Sequence, residues 1–148
     1  MNTDKPAGAL RYSEVTERII EVFFAVYNER GCGFLESVYE EAMAMALCEA
    51  GLRAQRQFPT PVWFRGRQIG DFRADILVEE LVLVDLKAAR AIDVAFEKQL
   101  LNYLRATQIE VGLLLNFGSK PEFRRFVFDN SRKQTRVYPR VSAAKTAQ

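Results

Sequence analysis

The sequence predicts an α/β (α+β) fold, a mixed central β-sheet flanked by helices. Three observations predict it. Residues 71–78, the pair Glu79-Glu80 and residues 81–88 read as two strands joined by a tight turn. A helical pattern over residues 93–107 separates the second of these strands from residues 110–117, which implies a parallel crossover. Two more helical patterns precede the strands, each with apolar residues three or four apart.

Residues 1–12 are expected to form a flexible start, residues 13–130 one domain, and residues 131–148 a basic, partly disordered tail that frays after Val141. Ser13 is the expected N-cap of the first helix, with Glu14 and Glu17 where the helix dipole favours acids. Val15, Ile19, Val22, Phe23, Val26 and Tyr27 form its apolar stripe, widened by Ile20 and Phe24, and Gly31-Cys32-Gly33 ends it. A second helix over residues 35–50 buries Val38, Tyr39, Ala42, Met43, Ala46 and Leu47 and stops at Gly51.

Residues 53–58, 62–64 and 68–78 read as strands, with a hairpin turn at Arg65-Gly66. Pro59 and Pro61 place the first of them at a sheet edge or bulge, and Gly70 marks a bulge or kink ahead of Asp75. Residues 81–88 are apolar on both faces, as in a strand covered on both sides. Asp93 caps the third helix, whose stripe is Phe96, Leu100, Tyr103 and Leu104. Gly118 ends the strand that follows, and residues 123–128 alternate apolar and basic as an edge strand would.

The chain has 148 residues, 49% of them hydrophobic and eleven of them Phe, enough for one domain with a sizeable core. No apolar run is long enough to span a membrane, and the N-terminus lacks the apolar core of a signal peptide. Two cysteines are too few for a disulfide framework, so a cytoplasmic protein with reduced thiols is expected. There is no histidine, which excludes His-based triads and His-ligated zinc. Any metal would take oxygen ligands, so Mg2+ or Mn2+ is expected.

The net charge of +2 is unevenly spread. Up to Phe117 there are 13 Lys and Arg against 17 Asp and Glu; from Gly118 on there are 8 against 2. A basic end on an acidic body suits a polyanionic partner, and it equally suits a solvated tail.

Asp85 and Lys87 project from one face of their strand, and Asp75 sits near the same end of the preceding strand if the two pair as a hairpin. Two carboxylates and an ammonium in a mostly apolar sheet are costly unless they pair with one another or hold a metal. A buried Asp85–Lys87 ion pair that merely fixes the fold is the plainer alternative. Glu36, one turn before Glu40, has the ordinary explanation of compensating a helix dipole. Gln99 and Tyr103 lie one turn apart, where an amide and a phenol often make a core hydrogen bond.

In order, these elements resemble the core of the PD-(D/E)XK nuclease superfamily. There an acid, an acid-x-lysine pair on the next strand and a Glu on a preceding helix share a restriction-endonuclease-like fold. Gln99-Leu-Leu-Asn-Tyr103 resembles the QxxxY motif of the RecB-like branch. Gly33-Phe-Leu-Glu36-Ser-Val-Tyr39 resembles the signature of the GxxExxY proteins, and Phe72-Arg-Ala-Asp75, Asp85-Leu-Lys87-Ala88 and Leu114-Leu-Asn116-Phe117-Gly118 look like that family too. The resemblance runs over residues 14–128 and rests on the order and spacing of motifs that are each weak alone. Ala74 stands where the superfamily's name has proline, and Asp85 where related chains often have Glu.

The resemblance implies metal-dependent phosphodiester hydrolysis of nucleic acid, with DNA ahead of RNA. Asp75 and Asp85 would hold Mg2+ or Mn2+ with the main-chain carbonyl of Leu86, and Glu36 would complete the shell or orient water. Lys87 would orient the attacking water, and Gln99 and Tyr103 would support the site. Arg124, Arg125, Arg132 and Lys133 are the candidate nucleic-acid contacts, and a homodimer is among the states allowed. A catalytically silent nucleic-acid-binding or assembly module on the same fold is the alternative, and a structural domain with a buried ion network is a third reading.

Overall fold

A computed structural model describes residues 12–133. The expected flexible start, apart from Tyr12, and most of the expected basic tail lie outside the described residues.

Helix α1 (Ser13–Arg30) buries Thr16, Ile19, Phe23 and Val26, a spacing that puts all four on one stripe. Ser13 is not its cap. Tyr12 holds that position in a left-handed conformation, and no side chain caps the turn. Ser13 is already helical, and its carbonyl accepts from Thr16 Oγ1 at 2.9 Å. Only Glu14 lies in the first turn. The Gly31 amide closes the other end onto the Tyr27 carbonyl at 2.7 Å.

Helix α2 (Glu36–Glu49) buries Tyr39, Glu40, Met43 and Leu47. Val38, expected in that stripe, is exposed, and Glu40 is buried instead. Polar partners on the sheet account for the exchange: Arg56 Nε and Gln57 Nε2 donate to the Glu40 carboxylate at 3.0 and 2.9 Å. A helix can turn an acid inward when its charge is met there.

The sheet order is β1-β2-β3-β4-β5. Strand β1 (Ala54–Phe64) runs unbroken through Pro59 and Pro61, where two short strands were expected. It is an edge strand, and an edge tolerates the missing N–H groups. Arg65 and Gly66, both at positive φ, turn it into β2 (Arg67–Val78). The bulge lies beside Gly70: Val62 pairs with Gly70 but Trp63 with Gln68, so Ile69 is the extra residue.

Glu79 and Glu80, also both left-handed, form the tight turn into β3 (Val82–Lys87), closed by Leu81 N donating to Val78 O at 2.9 Å. Strand β4 (Val111–Phe117) is parallel to β3 and fully buried, and β5 (Pro121–Val127) is antiparallel to it at the other edge. Helix α3 (Val94–Ala106) makes the crossover, capped by Asp93 accepting from Ala95 N at 2.8 Å.

Each face of the sheet has its own core. Ile76, Val78, Val82, Val84, Leu86 and the inward residues of β4 pack against α1 and α2. Leu77, Leu83 and Leu114 pack against Leu100, Tyr103 and Leu104 of α3. No helix among the described residues is long and apolar enough to cross a membrane.

Candidate active site

The site lies where β2 and β3 separate. Their pairing runs from Val78↔Val82 to Ile76↔Val84 and stops. The next opposed positions are Asp75 and Asp85. Like charges directly opposite destabilise a strand pair, and the ladder ends at that point. Asp75 then accepts from the main-chain N–H of Leu86 at 2.7 Å, so a carboxylate replaces the missing strand partner. In a strand the N–H and C=O of one residue point the same way, so the Leu86 carbonyl also faces the gap.

Neighbouring β1 accommodates the change. Arg56 pairs with Ile76 and Phe58 with Ala74, but the intervening Gln57 has φ 56° and does not pair with Asp75. Residues on the two sides of this break enter different cores: Ile76 packs towards α1 and α2, and Ala74 towards α3. Gln57 is held by Glu40, so a buried helix acid fixes the backbone beside Asp75.

Asp85 is 5% exposed, and its Oδ2 is buried with no hydrogen-bond partner. Lys87 Nζ lies 3.9 Å from that oxygen, too far for a hydrogen bond. The ammonium donates instead to Gln99 Oε1 at 3.1 Å and rests 4.8 Å from the centre of the Phe96 ring. Burial pushes the Asp85 carboxyl up to about 8, aided by the proton it can share with Asp75 and by repulsion from Asp75 and Glu36, against the pull of Lys87. Burial also raises Asp75, while the Leu86 N–H works against the shift. Without a cation, burial favours the protonated form of both acids. Tyr103 is raised to about 12 by burial and then by Asp85 and Asp75, so its phenol stays protonated.

The geometry therefore brings Asp75, Asp85, Leu86, Lys87, Gln99 and Tyr103 together. Glu36 stands exposed on the first turn of α2, and its charge reaches Asp85. Among the described residues no three Asp, Glu or Cys side chains close around one cation-sized space; the acids come as a pair. The orphaned Asp85 oxygen, the opposed Asp75 and the Leu86 carbonyl form a hard oxygen donor set that fits a divalent cation.

The basic residues are dispersed. Arg124 pairs with Glu97 at 3.5 Å on the α3 side, and Arg125 lies on the other face of β5, its guanidinium lowered by burial. Arg132 lies 5.4 Å from the Phe128 ring centre. Lys133 turns inward, donating to Thr107 O at 2.7 Å and Ile109 O at 3.1 Å.

The flanking motifs support this centre. Tyr39 donates to Gly31 O at 2.6 Å and stacks on Phe117 at 4.0 Å, so the Gly-x-x-Glu-x-x-Tyr segment ties its own loop down and leaves Glu36 outside. Asn116, opposite Lys87 in the register, clamps the backbone of Ala89, its Oδ1 accepting from the Ala89 N–H at 2.9 Å and its Nδ2 donating to the Ala89 carbonyl at 3.0 Å. A Cβ on Gly118 would sit 2.5 Å from the Ala89 carbonyl, so only glycine fits there. Asn116, Glu40 and Gln57 carry no site role in the sequence reading. The signals for Asn116 are an amide inside an otherwise apolar strand and its place in the Leu114–Gly118 motif.

A mixed five-stranded sheet with flanking helices, whose central strands part around an acid and an acid-x-lysine, is a restriction-endonuclease-like fold. A model of the PD-(D/E)XK nuclease superfamily matches residues 13–126, and the chain belongs to that superfamily. No curated protein and no solved structure matches the chain.

Proposed function

We propose that this protein is a metal-dependent nuclease acting on DNA, of the GxxExxY type and with a QxxxY element in Gln99 and Tyr103. The observation that carries the reading is the buried Asp85 Oδ2 opposite Asp75, which accepts no hydrogen bond and has Lys87 no nearer than 3.9 Å. A bare ion pair would have drawn Lys87 onto that oxygen. Asp75, Asp85 and the Leu86 carbonyl would hold Mg2+ or Mn2+, which is commonly bound by one or two carboxylates with water filling the shell. The cation would polarise the phosphate and lower the pKa of water. Lys87, held by Gln99 and Phe96, would orient the attacking water and offset charge growing on phosphorus. Glu36, at the solvent side, can orient a water from there. Tyr103 stays a hydrogen-bond donor at all working pH values.

The test is cleavage of single-stranded DNA, duplex DNA and RNA with manganese, magnesium or chelator, using wild type and Asp85→Asn. Metal-dependent cleavage by the wild type alone is expected. Equal cleavage by both proteins, or none by either with any substrate and metal, would overturn the proposal.

A further inference from the structure

Strands β1 and β2 outrun the sheet. Only Ile76–Val78 of β2 pairs with β3, so from Ala74 towards Arg67 β1 is the second strand's sole partner among the described residues. The ribbon is anchored at its base. Thr60 is fully buried and donates to Phe72 O at 2.9 Å, and Phe72 packs on Tyr103 with ring centres 5.7 Å apart. Beyond that Pro61, Val62, Trp63 and Gly70 are half-buried and the rest of the ribbon is exposed, and the exposure is of an unusual kind. Phe64 is 54% exposed, Ile69 65% and Phe72 47%. Strand tips normally hide such residues or replace them with charge.

The cations at the tip are not tied to acids among the described residues. Arg65 lies over the Phe64 ring at 4.9 Å, and neither Arg65 nor Arg67 forms an ion pair with a described residue. Phe64, Arg65, Arg67 and Ile69 line an open pocket at the tip. Through Phe72 this apolar and cationic track reaches Tyr103, whose phenol feels the charges of Asp85 and Asp75.

We propose that the β1–β2 ribbon is a binding arm for single-stranded nucleic acid that leads the strand to the acids, an inference that rests on the nuclease reading. Exposed aromatic faces are matched by base faces, which only an unpaired strand offers. Arg65 and Arg67 meet its phosphates. A ribbon that reads a duplex groove would instead present hydrogen-bonding side chains to base edges. The bulge at Ile69 twists the arm and turns an apolar side chain outwards beside the pocket.

The experiment is fluorescence anisotropy with labelled oligothymidylate and with a labelled duplex, in chelator so that nothing is cut, over a range of salt. Wild type should bind the single strand more tightly than the duplex. Phe64→Ala should weaken that binding by roughly 5- to 100-fold, the effect of losing one stacked base. Arg65→Ala with Arg67→Ala should weaken it and flatten its salt dependence. Both variants change exposed groups, and a thermal melt verifies their folding. Variants that bind as wild type does would overturn the arm and leave the nuclease reading standing. Tighter binding of the duplex would overturn the choice of a single strand. If wild type binds neither probe the arm is overturned, and its manganese-dependent hydrolysis of bis(p-nitrophenyl) phosphate then decides whether the nuclease reading falls with it.

Discussion

Leu86 N–H donates to Asp75 Oδ2 across 2.7 Å of the gap where β2 and β3 part. This bond sets what each substitution at Asp75 should do. Asp75→Asn keeps an acceptor for the amide and removes a charge from a crowded pair, so the metal-free fold should stay as stable as wild type or gain. Asp75→Ala strands a part-buried N–H, at a cost of about 1–3 kcal/mol. Manganese should raise the Tm of the wild type and of neither variant, because a ligand stabilises only the state it binds. Equal shifts in all three proteins would place the ion elsewhere.

A second prediction concerns pH. The Asp85 carboxyl is raised to about 8 in the fold and returns to an ordinary carboxyl when unfolded. Between those values the folded state holds more protons than the unfolded one, so stability falls as pH rises. From this group alone the metal-free protein should be most stable below about pH 4, and it should lose stability from there up to about pH 8, by at most about 1.4 kcal/mol per pH unit. Asp85→Asn should flatten the slope. Urea titrations at several pH values in chelator measure it, and a wild-type stability that rises across this window would contradict it.

Asn116 supports a third. Its amide bonds both the N–H and the carbonyl of Ala89 and is fully buried. Asn116→Ala should cost about 1–3 kcal/mol for each group left unpaired. It should also reduce cleavage, because the chain just after Lys87 loses its clamp. Gly118→Ala should act through the same contact, since its Cβ would meet the Ala89 carbonyl. Urea melts beside cleavage rates measure both. Full activity in a destabilised Asn116→Ala protein would confine the residue to the fold.

The reach of the sequence ends where such contacts begin. Asp75, Asp85 and Lys87 were readable because strand alternation and a tight turn suffice to bring them together. Gln99 and Tyr103 were readable because a helix puts residues four apart on one side. Asn116 and Glu40 act through partners 27 and 17 residues away. Glu40 looks like a solvent-facing helix residue until Arg56 and Gln57 are seen to meet its charge. Ser13 has the composition of a cap, but the helix starts one residue too early for it to serve. The unbroken β1 was hidden by its prolines, whose missing donors matter little on an edge.

The last prediction separates chemistry from architecture at Lys87. A structural ion pair would leave a buried charge behind when one partner is removed, at roughly 3–5 kcal/mol. The ammonium is 3.9 Å from Asp85 and bonded to Gln99, and metal-free Asp85 is raised to about 8, so at neutral pH it is largely uncharged. Lys87→Met keeps the packing on Phe96 and should change the metal-free melt little. Cleavage should fall by about 100- to 1000-fold, as expected when one preorganised charge at a reacting phosphate is lost. Gln99→Ala should fall less, because it loosens the ammonium without removing it. The measurement is a melt in chelator beside a manganese-dependent cleavage assay on each variant. A Lys87→Met protein that melts far earlier yet cleaves normally per folded molecule would return Lys87 to the role of a counter-ion.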